Sequence, residues 1–266
     1  MTLKIYRVGP EDPFIKTLIY SEPGVGKTTL AASAQDHPKM RPVLFLNIEG
    51  GLLSVNHRRD LHAIDVSSPD EAEDVATKIA TGKKWWGRIR TVVIDNGTEL
   101  QNLDLQQIVE REMHVVTQGG KRRTSKNDIW QEDYGESTVK LMRIYRKFRH
   151  LPIHLVITAH AKYVYPKTMS RNVRQEDLEP TVVLPWLTQK LCKSVMGMVD
   201  FVWYMRRSEE DSERREMVTQ TDGIIQAKTR GRFFAKRIGP VVENPRLPQL
   251  YDALVAAQSR RARPDR

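Results

Sequence analysis

The segment Leu18-Ile19-Tyr20-Ser21-Glu22-Pro23-Gly24-Val25-Gly26-Lys27-Thr28-Thr29-Leu30 joins an apolar strand, a glycine-bearing bend and the start of a helix in immediate succession. No other stretch restricts the fold so tightly. A strand over 14–20 must deliver the chain to a turn at Gly24 and Gly26, whose missing side chains let backbone N–H groups face inward around an anion. The pattern is G-x-x-x-x-G-K-S/T with Ser21 in place of its first glycine, which a serine tolerates where φ stays negative. Such a loop cradles the phosphates of a nucleoside triphosphate along Ser21, Glu22, Pro23, Gly24, Val25, Gly26, Lys27, Thr28 and Thr29. Lys27 reaches the β- and γ-phosphates and the Thr28 hydroxyl ligates magnesium. ATP with Mg²⁺ is the expected ligand pair.

Around this loop, apolar runs alternate with helical stretches. Residues 14–20, 43–48, 62–66, 91–95, 154–160 and 201–205 read as strands, and their near-continuous Val/Ile/Leu content suits strands covered on both faces. The fold class that follows is α/β, a mostly parallel central sheet with helices on both faces. Ser68-Pro69-Asp70-Glu71 carries the cap and first-turn residues of a helix, Asn96-Gly97-Thr98-Glu99 opens another, and a third runs from about Tyr134 to Arg149 with Val139, Met142, Tyr145 and Phe148 on one stripe. Thr221-Asp222-Gly223 between EMVTQ and IIQAKT predicts a C-terminal β-hairpin. Residues 117–131 and 162–181 read as long loops, a class that is commonly functional. The chain divides into a core over 1–240 and a C-terminal helix with a basic tail over 241–266.

A triphosphatase needs a carboxylate for the magnesium shell and a base for the attacking water. Asp95, ending the run Thr91-Val92-Val93-Ile94-Asp95, fits the first role. The residue after it is Asn96, so a glutamate is lacking where many such enzymes carry one. Glu49, at the end of the second strand in Leu46-Asn47-Ile48-Glu49-Gly50-Gly51, is the better candidate base.

The order SEPGVGKTT, VLFLNIEGGL, TVVIDNGTEL, HLVITAHAK is similar to that of the RecA-like ATPases, and most like the small phage-encoded members that act in ATP-dependent single-strand annealing and recombination. The resemblance spans roughly 14–238. It implies a catalytic glutamate at Glu49 and a Walker B aspartate at Asp95. It also implies a strand between the phosphate-loop and Walker B strands that ends in a polar sensor, here Thr158 and His160. Ala227-Lys228-Thr229-Arg230 resembles the element through which a neighbouring subunit of a ring or filament offers cations to the triphosphate, making Lys228 and Arg230 candidates for that role. The loops that line the DNA path in that family map onto Lys121, Arg122, Arg123 and Lys126, and onto Lys162, Tyr165, Lys167, Arg171 and Arg174. Single-stranded DNA, further copies of the chain and a single-strand binding protein are the partners implied.

Charge agrees with a polyanionic partner. Lysine and arginine total 43 against 33 acids, a net +10, and the surplus is clustered, as in GGKRRTSK (119–126) and RIYRKFRH (143–150). A nucleotide-switched adaptor of a helicase or replisome is the alternative reading, and a P-loop small-molecule kinase a third. Cys192 is the only cysteine, which rules out an internal disulfide and agrees with a reducing cytoplasm, that of a bacterial host if the gene is a phage's. The opening MTLKIYRVGPEDP lacks a signal-peptide core, and no apolar run approaches the ~20 residues of a membrane span.

Overall fold

The computed structural model describes residues 13–113, 123–125, 127–166 and 178–261. Its centre is a sheet in the order β10-β8-β7-β1-β5-β4-β2-β3. The strands are β1 (Lys16–Ser21), β2 (Val43–Asn47), β3 (His62–Asp65), β4 (Thr91–Asp95), β5 (His154–Val164), β6 (Val182–Pro185), β7 (Phe201–Arg207), β8 (Arg215–Val218), β9 (Lys228–Thr229) and β10 (Val241–Glu243). β7, β1, β5, β4, β2 and β3 are mutually parallel, so all six carboxyl ends open on one edge of the sheet. β5 lies between β1 and β4, where the resemblance puts the sensor strand.

Alternating side chains of the central strands sort into two apolar layers. Leu18, Tyr20, Val92, Ile94, Leu155 and Ile157 meet α2 (Pro69–Thr81), α3 (Gly97–Glu112), α4 (Gln131–His150) and α5 (Gln189–Met198) on one face. Ile15, Ile19, Phe45, Val93 and Val156 meet α1 (Lys27–Ala32), α6 (Arg232–Ile238) and α7 (Leu247–Arg261) on the other. Helices thus cover both faces, as expected for strands so uniformly apolar. Ser68 caps α2 by accepting the Glu71 N–H, with Pro69 at the first helical position. Asn96 caps α3 in the same way through Glu99. Cys192 packs inside α5 as a small apolar residue. Among the described residues no helix is long and apolar enough to cross a membrane.

Several boundaries differ from expectation. α4 begins at Gln131, and Val139 is 69 % exposed, because Leu141, Met142, Ile144, Tyr145 and Phe148 form the buried stripe instead. β5 runs past His160 to Val164, leaves the main sheet and pairs with β6 in an antiparallel arm, shortening the expected 162–181 loop. The turn at Thr221-Asp222-Gly223 forms, with Asp222 and Ile225 exchanging backbone hydrogen bonds. Its arms do not continue into a long ladder with each other. β8 and β9 instead both lie along β7. Much of the described segment after 240 is built into the core: β10 pairs with β8, and Leu247, Leu250, Tyr251 and Leu254 of α7 are buried.

Candidate active site

The phosphate loop leaves the carboxyl end of β1 and bends at Gly24 and Gly26, whose φ values of +74° and +112° lie in the region that glycine alone enters freely. Ser21 is outside that region, so its Cβ costs the turn nothing. Lys27 folds its ammonium over the loop and donates to Ser21 Oγ at 3.0 Å and Glu22 O at 3.1 Å. Burial lowers its pKa, while Asp95, Glu49 and Glu22 act in the opposite sense. Arg215 of β8 braces the loop from outside by donating its Nε–H to Val25 O at 2.8 Å. The loop borders a cleft of about 950 Å³ that Asp95, Glu49 and His160 also line. Thr29 lies on the same rim.

Adjacent parallel strands bring the carboxylates together. Asn47 of β2 is in register with Asp95 of β4, so Glu49, two residues past β2, emerges beside Asp95, and both the Ile48 and Glu49 N–H groups point at Asp95 O. Asp95 Oδ2 accepts the Thr28 hydroxyl at 2.8 Å, and Oδ1 accepts that of Thr158. The expected metal pair, Thr28 and Asp95, is therefore in direct contact. A hydroxyl and a carboxylate at the mouth of a glycine-built anion cradle form an all-oxygen donor set suited to Mg²⁺. The residues present fit the implied group.

Glu49 is 43 % exposed at its side chain, and its carboxylate accepts from Asn96 Nδ2 and lies 3.4 Å from His160 Nε2. His160 stands at the point where β5 leaves the sheet; its N–H donates to Thr98 Oγ1 at 3.0 Å, and its carbonyl accepts the N–H of half-exposed Trp186 at 2.7 Å. The expected sensor thus sits against the candidate base, with Thr158 one step inside and bonded to Asp95.

Other expected site residues fall elsewhere. Lys228 opens β9 and Arg230 follows it; β9 pairs with the amino end of β7, at the opposite end of the sheet from the loop. Lys228 Nζ donates to Met196 O and Val199 O, and Arg230 pairs with Asp200 at 2.8 Å and donates to Gly197 O. Both therefore satisfy the carboxyl end of α5, and neither can reach this chain's own triphosphate. The role expected of Lys228 at a neighbouring subunit's site would require its ammonium to leave these two carbonyls. Arg230 remains exposed.

Arg123 is corrected as well. Expected at a phosphate, it has a fully buried side chain clasped by Asp133 and Glu112 and stacked 4.2 Å from the Trp130 ring. A guanidinium so enclosed by two carboxylates has no face left for a nucleic acid. Lys162 is exposed on the β5–β6 arm and Tyr165 half-buried just beyond it. Lys121, Arg122, Lys126, Lys167, Arg171 and Arg174 lie outside the described residues. Trp85 and Trp86 pack against the core in a 3₁₀ turn before β4, with His62 on Trp85. Sequence reasoning missed Arg215, Trp186 and the side-chain role of Asn96. Only the last had a local signal, its place beside Asp95.

A family model described as an AAA domain matches residues 14–237. No curated protein matches the chain.

Proposed function

The chain belongs to the AAA domain family, and we propose that this ATP-binding P-loop protein is an ATP hydrolase acting on single-stranded DNA in annealing or recombination. The observation that supports hydrolysis best is the meeting of three groups in one cleft: the loop at 21–28, the Thr28–Asp95 pair and the carboxylate of Glu49. Lys27 and the loop amides would bind the triphosphate and orient it. Glu49 would take the proton of the attacking water, with the γ-phosphoryl group passing to that water and ADP leaving. Thr28 and Asp95 would hold Mg²⁺, which when bound neutralises charge on the β- and γ-phosphates.

The DNA part of the reading rests on the net charge of +10, on basic segments that follow α3 and β5, and on the resemblance to phage-encoded annealing proteins, from which the phage origin also comes. A basic groove with exposed rings binds single strands without reading sequence, and Lys162, Tyr165 and Trp186 are of that chemistry. Assembly into a ring or filament, with Arg230 offered to a neighbouring site, belongs to the same proposal.

ATP turnover with and without single-stranded DNA tests it. Wild type should hydrolyse ATP faster with the strand. Lys27→Ala should lose nucleotide binding. Glu49→Gln should bind ATP as wild type does yet turn over roughly 10²-fold more slowly or worse. Undiminished turnover in Glu49→Gln would remove Glu49 as the base, and ATP binding without turnover in wild type would favour a nucleotide-operated switch.

A further inference from the structure

Asn96 is fully buried at the hinge between β4 and α3, and its amide has one orientation open to it. Oδ1 accepts the Glu99 N–H at 2.9 Å, the cap bond of α3, so the carbonyl end must face the helix. Nδ2 must then face the cleft, where it has two neighbours: Glu49 Oε2, and His160 Nε2 at 3.2 Å. An amide nitrogen can only donate, and it has two hydrogens to give. Both contacts are hydrogen bonds if His160 Nε2 accepts, which places the proton of the neutral ring on Nδ1. That nitrogen is buried, and among the described residues it has no partner within hydrogen-bond reach. Leaving it so is costly, and the Asn96 bond to Nε2 offsets part of that cost. With Nε2 bare, the 3.4 Å approach of His160 to Glu49 Oε1 carries no hydrogen bond. One carboxylate oxygen is therefore tied to Asn96 and the other is left to the cleft.

We infer that Asn96 is a positioning residue for Glu49: its amide ties Oε2, leaves Oε1 as the oxygen that meets water, and prevents His160 from capturing that oxygen by holding the imidazole in its Nδ1–H form. This rests on the reading of Glu49 as the base. Because the same amide caps α3, the aim of the carboxylate is coupled to the seating of a 16-residue helix. A helix cap alone would need only an acceptor, which serine or aspartate supplies equally well. The two donors are the part that capping does not explain.

Asn96→Ser separates the roles, because it keeps a cap acceptor and removes both amide N–H donors, leaving a single shorter hydroxyl in their place. Turnover should fall between roughly 10- and 100-fold, the scale set by a misaimed reacting group, with KM for ATP unchanged within about twofold. In a Glu49→Gln background the same substitution should cost nothing further, since Asn96 acts through that carboxylate. Turnover of Asn96→Ser equal to wild type, with Glu49→Gln impaired, would overturn the inference and leave Glu49 as the base. Undiminished turnover in Glu49→Gln would instead remove the base, and the positioning role with it. A second measurement needs no variant and no turnover: the ring ¹⁵N resonances of His160 in the intact wild-type chain. A bare Nε2 and a protonated Nδ1 are expected; a protonated Nε2 would overturn the arrangement.

Discussion

His154 opens β5 at 1 % exposure, and its Nδ1 accepts the Ile15 N–H at 3.0 Å, tying the start of β1 to β5. Burial lowers its pKa to about 4, and the charge of nearby Lys16 pushes the same way. An unfolded histidine takes its proton near 6.5. Between those values the unfolded chain binds a proton that the folded chain refuses, so stability falls as pH drops through this window. Urea denaturation should show a loss of about 2 kcal/mol between pH 7 and pH 5 from this group. His154→Asn, which keeps an acceptor near the Nδ1 position, should flatten that part of the pH profile while losing some packing. The chemistry of single residues was legible where it depended on neighbours in sequence. Lys27, Thr28 and Asp95 could be read from a loop and a strand end. The partners of Arg123 could not, because Asp133 and Glu112 reach it only after α3 and α4 have packed together.

At the scale of elements, that clasp joins α3 to α4. Arg123 donates to both oxygens of Asp133 and to Glu112 at 2.6–2.8 Å, and the Trp130 N–H adds a further bond to Asp133 at 2.6 Å. Burial acts to raise the Asp133 pKa, but the guanidinium and the Trp130 N–H outweigh it, and Glu112 is lowered chiefly by Arg123. Depressed carboxylates contribute stability above their ordinary range and lose it as pH falls through the folded values. Arg123→Ala would leave Asp133 buried without its cation, at a cost of about 3 kcal/mol. Urea or thermal unfolding at neutral pH should show that loss, and a variant as stable as wild type would mean the clasp contributes nothing. Strand existence followed from apolar run length, whereas strand ends did not. β5 continues to Val164 because β6, some twenty residues on, supplies backbone partners outside the main sheet.

For the molecule as a whole, the internal use of Arg123 changes the charge available to a polyanion. Lys121, Arg122 and Lys126 remain from the basic run 119–126. If all three meet single-strand phosphates, replacing them by alanine should reduce the slope of log K against log salt by about 2. A slope unchanged within error would take that segment out of the binding path. Arg230 and the phosphate loop stand at opposite ends of the sheet, so a second copy that brought one to the other would make a head-to-tail contact, which closes into a ring or runs on as a filament. Sedimentation with ATP and Glu49→Gln, which holds nucleotide without consuming it, should show particles larger than the 30.7 kDa chain. A monomer at every nucleotide state would end the assembly proposal.

Local order along the chain sufficed to determine that this protein has a parallel α/β core, a triphosphate loop and a carboxylate at the end of its fourth strand. Each of these needs only contiguous residues: glycines where φ is positive, apolar runs of strand length, an acid where a strand stops. Tertiary structure alone decided that Glu49 meets Asp95, that Asn96 and His160 close around Glu49, and that Arg123, Lys228 and much of Arg230 serve the fold. Those outcomes depend on strand order and register, which bring together residues 47 and 64 positions apart in the chain. A side chain's partners across such separations are set by packing of the whole core, and no local pattern encodes them.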